Sequence, residues 1–126
     1  MPLTLTLLPD LYAVARLDPD APVPGWVTGP FTSVTRTGLE LSVVAPHACV
    51  PEEVRVERGF RVLRFEGPFA FDAVGVLASV AGPLAEAGVS ILAIGTFDTD
   101  YVLVKEADIP RVRAALEARG IAVADR

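Results

Sequence analysis

The clearer hydrophobic pattern lies in the second half of the chain. Phe60, Val62, Leu63 and Phe65 are apolar, with Arg61, Arg64 and Glu66 among them, which predicts a half-buried strand. "EGPFAFD" then breaks the pattern as a loop. From Asp72 to about residue 87, apolar residues recur at Val74, Leu77, Ala78, Ala81, Leu84 and Ala85, the spacing of an amphipathic helix with Asp72 placed to cap it. Gly82-Pro83 inside that run predicts a kink, and Gly88 a C-terminal stop. Residues 89–97 predict a strand and residues 101–105 its hairpin partner. Asp108 is placed to cap a second helix, with Pro110 in its first turn, Ile109, Val112 and Leu116 on one face and Gly120 at its end. Residues 121–124 predict a last short strand.

The order β-α-β-β-α-β over residues 60–124 is the ferredoxin-like plan, an α+β arrangement with an antiparallel sheet and two helices on one face. The first half is rich in strands and turns. Residues 3–8 and 11–17 are apolar runs split by Pro9-Asp10. "DPDAPVPGW" leaves room for only a short helical turn around residues 23–27. Residues 31–36 and 39–45 predict a hairpin around Thr37-Gly38, and "PHACVPEE" a linker with a short turn near Glu52. This half reads as a reduced copy of the second, which sets the expected organisation as residues 1–57 and 58–126.

Composition narrows the function classes. In 126 residues, 52% are apolar and 21% charged, so a packed core is affordable and disorder is not expected. A net charge of −5 argues against nucleic acid or an anionic membrane surface as partner, since both call for a positive patch. No apolar run has the length of a membrane span, and "MPLTLTLLPDLYAVA" lacks the basic segment of a signal peptide, so the cytoplasm is the expected compartment. The lone cysteine, Cys49, excludes an internal disulfide and a cysteine metal cluster. Asn and Gln are absent, a bias that suits a thermophile or a GC-rich genome equally. His47, the single histidine, sits in a Pro-flanked loop and reads as a surface residue; Cys49 and Trp26 read as packing residues. Asp98, Asp100 and Glu106 lack the longer loop that a hard cation needs. No phosphate-binding glycine loop occurs, and no cofactor is expected.

Two stretches carry candidate chemistry. At Asp72-Ala73-Val74-Gly75-Val76 a helix start leaves backbone N–H groups unpaired and favours an anion such as a free α-carboxylate. Gly75 would let a ligand approach the first turn. The same residues are explained without a ligand if Asp72 is an N-cap and Gly75 packs helix against sheet. In "IGTFDTDYVLVK", Thr96 and Phe97 end one strand and Asp100 opens the next. Asp100 would meet an α-ammonium or a cationic side chain, with Phe97 as an apolar wall and Thr96 offering its carbonyl or hydroxyl. Asp98 reads as a turn-former.

The stretch "GPFAFDAVGVLASVAGPLAEAGVSILAIGTFDTDYVLVKEADI" resembles the ACT domain, the small-molecule regulatory module of amino-acid metabolism. More narrowly, the chain resembles bacterial ACT proteins related to the CASTOR arginine sensors. "D-x-x-G-V-L" at residues 72–77 and "TFxTDYVLVKExD" at residues 96–108 carry the likeness, with "SVTRT" and "ELSVVAP" fitting the prokaryotic branch. The resemblance implies that Ala73, Val74, Gly75, Val76, Thr96, Phe97 and Asp100 line an amino-acid site beside Asp72. It further implies that Ser90 and Ile91 of a neighbouring subunit close the site. The sensors have an acidic residue where this chain has Ala73, so the resemblance leaves a smaller or neutral amino acid as open as a cationic one. It also implies a homodimer that rebuilds a four-unit assembly, and a regulated enzyme or other protein as downstream partner. The alternatives are an isomerase- or decarboxylase-type enzyme on the same fold, with Asp100 as its acid–base group, or an assembly module without ligand.

Overall fold

The computed structural model describes residues 3–125. The chain forms two units, one from Met1–Pro9 with Arg61–Arg126 and one from Asp10–Phe60. This division differs from the expected one in where the first apolar run falls. β1 (Thr4–Leu7) lies in the unit formed mainly by the second half of the chain.

In the larger unit, β1 pairs antiparallel with β5 (Arg55–Phe65), Leu5 opposite Phe65 and Leu7 opposite Leu63. It also pairs in parallel with β8 (Ala122–Asp125), Leu5 opposite Val123. Two more strands, β6 (Leu92–Gly95) and β7 (Asp100–Lys105), complete the order β6-β7-β5-β1-β8. The expected β-α-β-β-α-β core is present as β5-α1-β6-β7-α2-β8, with α1 at Val76–Glu86 and α2 at Ile109–Glu117. The fold is α+β and ferredoxin-like, and β1 adds a strand to its sheet. Leu5, Leu63, Phe65, Val102 and Val104 from the strands meet Val80, Leu84, Val112 and Leu116 from the helices in one core. Each such side chain contributes roughly 1.5–3 kcal/mol by leaving water.

The helices begin otherwise than expected. Asp72 caps nothing: it is exposed in a turn, and α1 starts four residues later behind Gly75. Gly75 adopts φ 82°, ψ 3°, a left-handed conformation that a Cβ disfavours. A Cβ there would meet nothing within 4 Å, so backbone conformation, not helix–sheet packing, accounts for this glycine. The buried face also differs. Val80, Pro83 and Leu84 are buried, whereas Val74 precedes the helix and Ala78 and Ala85 are exposed. Nearly every position of this helix is apolar or small, so periodicity cannot select a face, and the bulkier Val80 and Leu84 go inward. In α2, Asp108 occupies the N-cap position but makes no capping hydrogen bond; its carboxylate pairs with Arg111. Val112 and Leu116 are buried as expected.

In the smaller unit, β2 (Tyr12–Leu17) pairs antiparallel with β4 (Leu41–Pro46), which pairs with β3 (Ser33–Arg36). The first residues of β5 pair with the other side of β2. A register shift between Tyr12 and Val14 coincides with Gly59 at φ 86°, the geometry of a β-bulge. The Thr37-Gly38 turn closes as expected, with the Thr37 N–H donating to the Glu40 carbonyl at 2.9 Å. The short helical turn expected near residue 25 is instead one hydrogen-bonded turn, the Val27 N–H donating to the Pro24 carbonyl at 3.2 Å. Pro22 and Pro24 supply no N–H there, which leaves too few donors for a helix. A 3₁₀ turn at His47–Cys49 was not foreseen. Trp26 packs against the core formed by Ala13, Leu41, Val43 and Val50. No helix among the described residues is long and apolar enough to cross a membrane.

Candidate functional site

β6 and β7 pair in a register that sets Gly95 opposite Asp100, which leaves Thr96–Thr99 as a four-residue turn. Threonine chemistry holds the turn. The Thr96 N–H and hydroxyl both donate to the Thr99 carbonyl at 2.9 Å, and the Thr99 N–H donates back to the Thr96 hydroxyl at 3.3 Å. The Thr99 hydroxyl reaches the Phe65 carbonyl at 2.7 Å, anchoring the turn to the end of β5. From there the chain runs through Gly67-Pro68 into the loop ahead of α1, and the Phe69 N–H donates to the Asp98 carbonyl at 2.9 Å. Turn and loop are thereby tied together, with the start of α1 beside them.

Between them lies a cleft of about 200 Å³. Five of the ten residues expected at a site line it: Ala73, Val76, Thr96, Phe97 and Asp100. Asp72, Val74 and Gly75 belong to the same segment but do not line the cleft; Val74 is 95% exposed. Ser90 and Ile91 precede β6, whereas the turn follows it, so in one chain they lie at the other end of that strand. Ser90 is exposed and Ile91 packs on the core.

Sequence reasoning passed over Phe69, Ala70, Phe71, Asp98 and Thr99, which also line the cleft. Their signal was the "FAF" of the loop, two aromatics next to a candidate helix start. Phe71 and Phe97 are each 82% exposed, with ring centroids 5.6 Å apart. Two large apolar rings in water are unfavourable, which makes the mouth of the cleft a surface suited to being covered.

The electrostatics are one-sided. Asp98 and Asp100 are the formally charged lining residues, and no basic side chain is among them. Asp100 is half-buried, with Oδ1 3.4 Å from where a Cβ of Gly95 would stand. The first bond of α1 runs from the Ser79 N–H to the Gly75 carbonyl at 3.0 Å, so the amides of Val76, Leu77 and Ala78 precede the ladder. The two carboxylates suit a positively charged group, and Val76, the first residue of α1, is the part of the helix start that lines the cleft. No group of three or more His, Cys, Asp or Glu placed to hold a metal ion occurs among the described residues.

Comparison with known proteins bears on this geometry. The profile of the ACT domain matches residues 55–118, and a profile of an N-terminal domain matches residues 10–53. The cytosolic arginine sensor for mTORC1 subunit 1 of Homo sapiens is 43% identical over 61 residues, which is 48% of this chain and 18% of that protein. The chain thus matches less than a fifth of the length of that curated relative. A crystal structure of a protein from Agrobacterium tumefaciens has a TM-score of 0.94 and 36% identity, covering 100% of this chain and 95% of that one. The ligand-free regulatory subunit of aspartate kinase from Thermus thermophilus shares the fold alone, with a TM-score of 0.61 at 9% identity over 86% of this chain and 92% of that one. With the ACT profile over half of its length and a full-length likeness to a solved structure, the chain belongs to the ACT-domain family.

Proposed function

We propose that the protein is a regulatory binding protein for a free amino acid, not an enzyme, and that the ligand sits in the cleft between the start of α1 and the β6–β7 turn. One observation carries this reading: Ala73 and Val76 from one segment, and Thr96, Phe97 and Asp100 from another, wall a single cleft. The α-carboxylate takes the free amides at the start of α1, and the α-ammonium pairs with Asp100. Phe97 and Phe71 flank the side chain. The names of the relatives, an arginine sensor and an aspartate kinase regulatory subunit, support an amino acid as the ligand class.

The cleft is small and open, and its mouth is apolar. A second copy of the chain closes it in our reading, with Ser90 and Ile91 of that copy reaching the ligand across a two-fold axis. A ligand touching both copies then favours the dimer by linkage, and the dimer acts on a separate protein.

A thermal-shift screen over the proteinogenic amino acids tests this. One or two of them should raise Tm by roughly 5–10 °C at about 100-fold their Kd. Asp100→Ala should abolish that shift while keeping the unliganded Tm close to that of the parent. Sedimentation with the same amino acid should show a larger dimer fraction. A screen in which no amino acid moves Tm, or in which Asp100→Ala responds in full, sinks the reading.

A further inference from the structure

The smaller unit holds a cavity of about 490 Å³ that the amino-acid cleft does not involve. Three segments wall it: Asp10-Leu11 ahead of β2, residues 28–30, and residues 46–49 where β4 passes into the 3₁₀ turn. The walls are bonded to one another. The His47 N–H donates to the Leu11 carbonyl at 2.8 Å, and the Cys49 thiol donates to the Thr28 carbonyl at 3.7 Å. Gly29, at φ 136°, lies so close to Pro46 that a Cβ would stand 2.7 Å from its Cγ, so only glycine fits. Arg58 braces the third wall, its guanidinium donating to the carbonyls of His47, Val50 and Pro51 at 3.1, 2.9 and 3.2 Å. The cavity is therefore preformed, a property of small-molecule sites.

Its chemistry is selective. Leu11, Pro30, Pro46 and Ala48 give apolar walls, and Asp10 is the one acidic residue among them. Arg58 also donates to His47 Nδ1 at 3.2 Å. A guanidinium has no acceptor, so Nδ1 carries the lone pair and the ring N–H is at Nε2. His47 thus has its Nε2 N–H left as a donor. A further polar group is left over. The Tyr12 hydroxyl, behind the cavity lining rather than part of it, is fully buried and has no hydrogen-bond partner among the described residues, and Asp10 and Cys49, both in the lining, lie near enough to act on it electrostatically.

We propose that this cavity is a second small-molecule site, for a primary amine with an apolar body. The ammonium pairs with the Asp10 carboxylate, and the body lies against Leu11, Pro30 and Pro46. The site is independent of the amino-acid cleft, so either proposal can fail alone.

Cys49 is the only cysteine, so its rate of alkylation by iodoacetamide reports occupancy of the cavity. Benzylamine, benzyl alcohol and benzoate share a body and differ in charge. Benzylamine should slow alkylation saturably at concentrations up to about 10 mM, and benzoate should not. Asp10→Asn should raise the half-protecting benzylamine concentration about tenfold or more, the loss expected of a charge-assisted pair. Asn is the replacement because Asp10 sits at φ 79°, a conformation that Asn tolerates. Should that variant fail to fold, the three probes on the parent protein still decide. Equal protection by all three, no protection by benzylamine, or full protection retained in Asp10→Asn overturns the proposal.

Discussion

Tyr12 shows how a single residue can be buried for its ring and not for its hydroxyl. The ring is fully buried and meets Phe31 edge-on, with centroids 5.9 Å apart, yet the oxygen finds no hydrogen-bond partner among the described residues. Burial, aided by Asp10 and Cys49, holds the phenol above its ordinary pKa of 10.0. A raised value means that the folded state keeps this proton more tightly than the unfolded chain. The associated stability is complete below pH 10 and is lost as pH rises through the folded value. Tyr12→Phe should therefore change stability at pH 7 by less than about 1 kcal/mol, since no hydrogen bond is lost. Above pH 10 its Tm should fall less steeply than that of the parent. Melting curves across that range check both, and parallel alkaline slopes would refute the account. Nothing in the alternation of the chain distinguishes Tyr12 from an ordinary strand residue; its orphaned hydroxyl follows from what its neighbours lack.

At the scale of elements, Gly75 determines where α1 begins and hence where its free amides point. Its φ of 82° is unsuited to a residue with a Cβ, while the space around that Cβ is empty. Gly75→Ala should then cost about 1–2 kcal/mol through the backbone alone, with no steric term. Denaturant titration measures it, and a neutral substitution would show that the turn relaxes freely. The helix was legible in the sequence as an apolar run ending at Gly88, but its start was not. Asp72 satisfied the composition of a cap, and only the left-handed turn at Gly75 shows that the chain is not yet helical there. The β6–β7 hairpin was legible as two apolar runs about "DTD", but its turn was not: Thr96 and Phe97 read as the end of a strand, whereas the turn spans Thr96–Thr99 and is held by the two threonines rather than by an aspartate.

At the scale of the molecule, β1 is the element that the sequence did not place. As an apolar run next to β2 it read as part of the first half. In the fold it lies between β5 and β8, burying Leu5 completely and Leu7 nearly so. Residues 58–126 expressed alone therefore lack the strand that joins β8 to the rest of their sheet. Such a fragment should give no cooperative melt by circular dichroism, because it exposes the apolar faces of Leu63, Phe65 and Val123. A sigmoidal melt like that of the whole chain would show β1 to be dispensable. The cleft belongs to this scale too. Phe69 and Phe71 come from one loop and Thr96–Asp100 from another, and the Phe69–Asp98 backbone bond is what sets them face to face.

The amino-acid sequence by itself determined the kinds and order of the main elements, the turn at Thr37-Gly38, the ferredoxin-like plan and the family. Each of these rests on periodicity, turn chemistry or motif spacing, which act over a few residues. Tertiary structure alone decided the partners of β1, the buried face of α1, the walls of the cleft and the orphaned Tyr12 hydroxyl. Those outcomes depend on pairings between residues far apart in the chain, such as Leu5 with Phe65. The choice among them is made by the packing of the whole core, which no local pattern encodes.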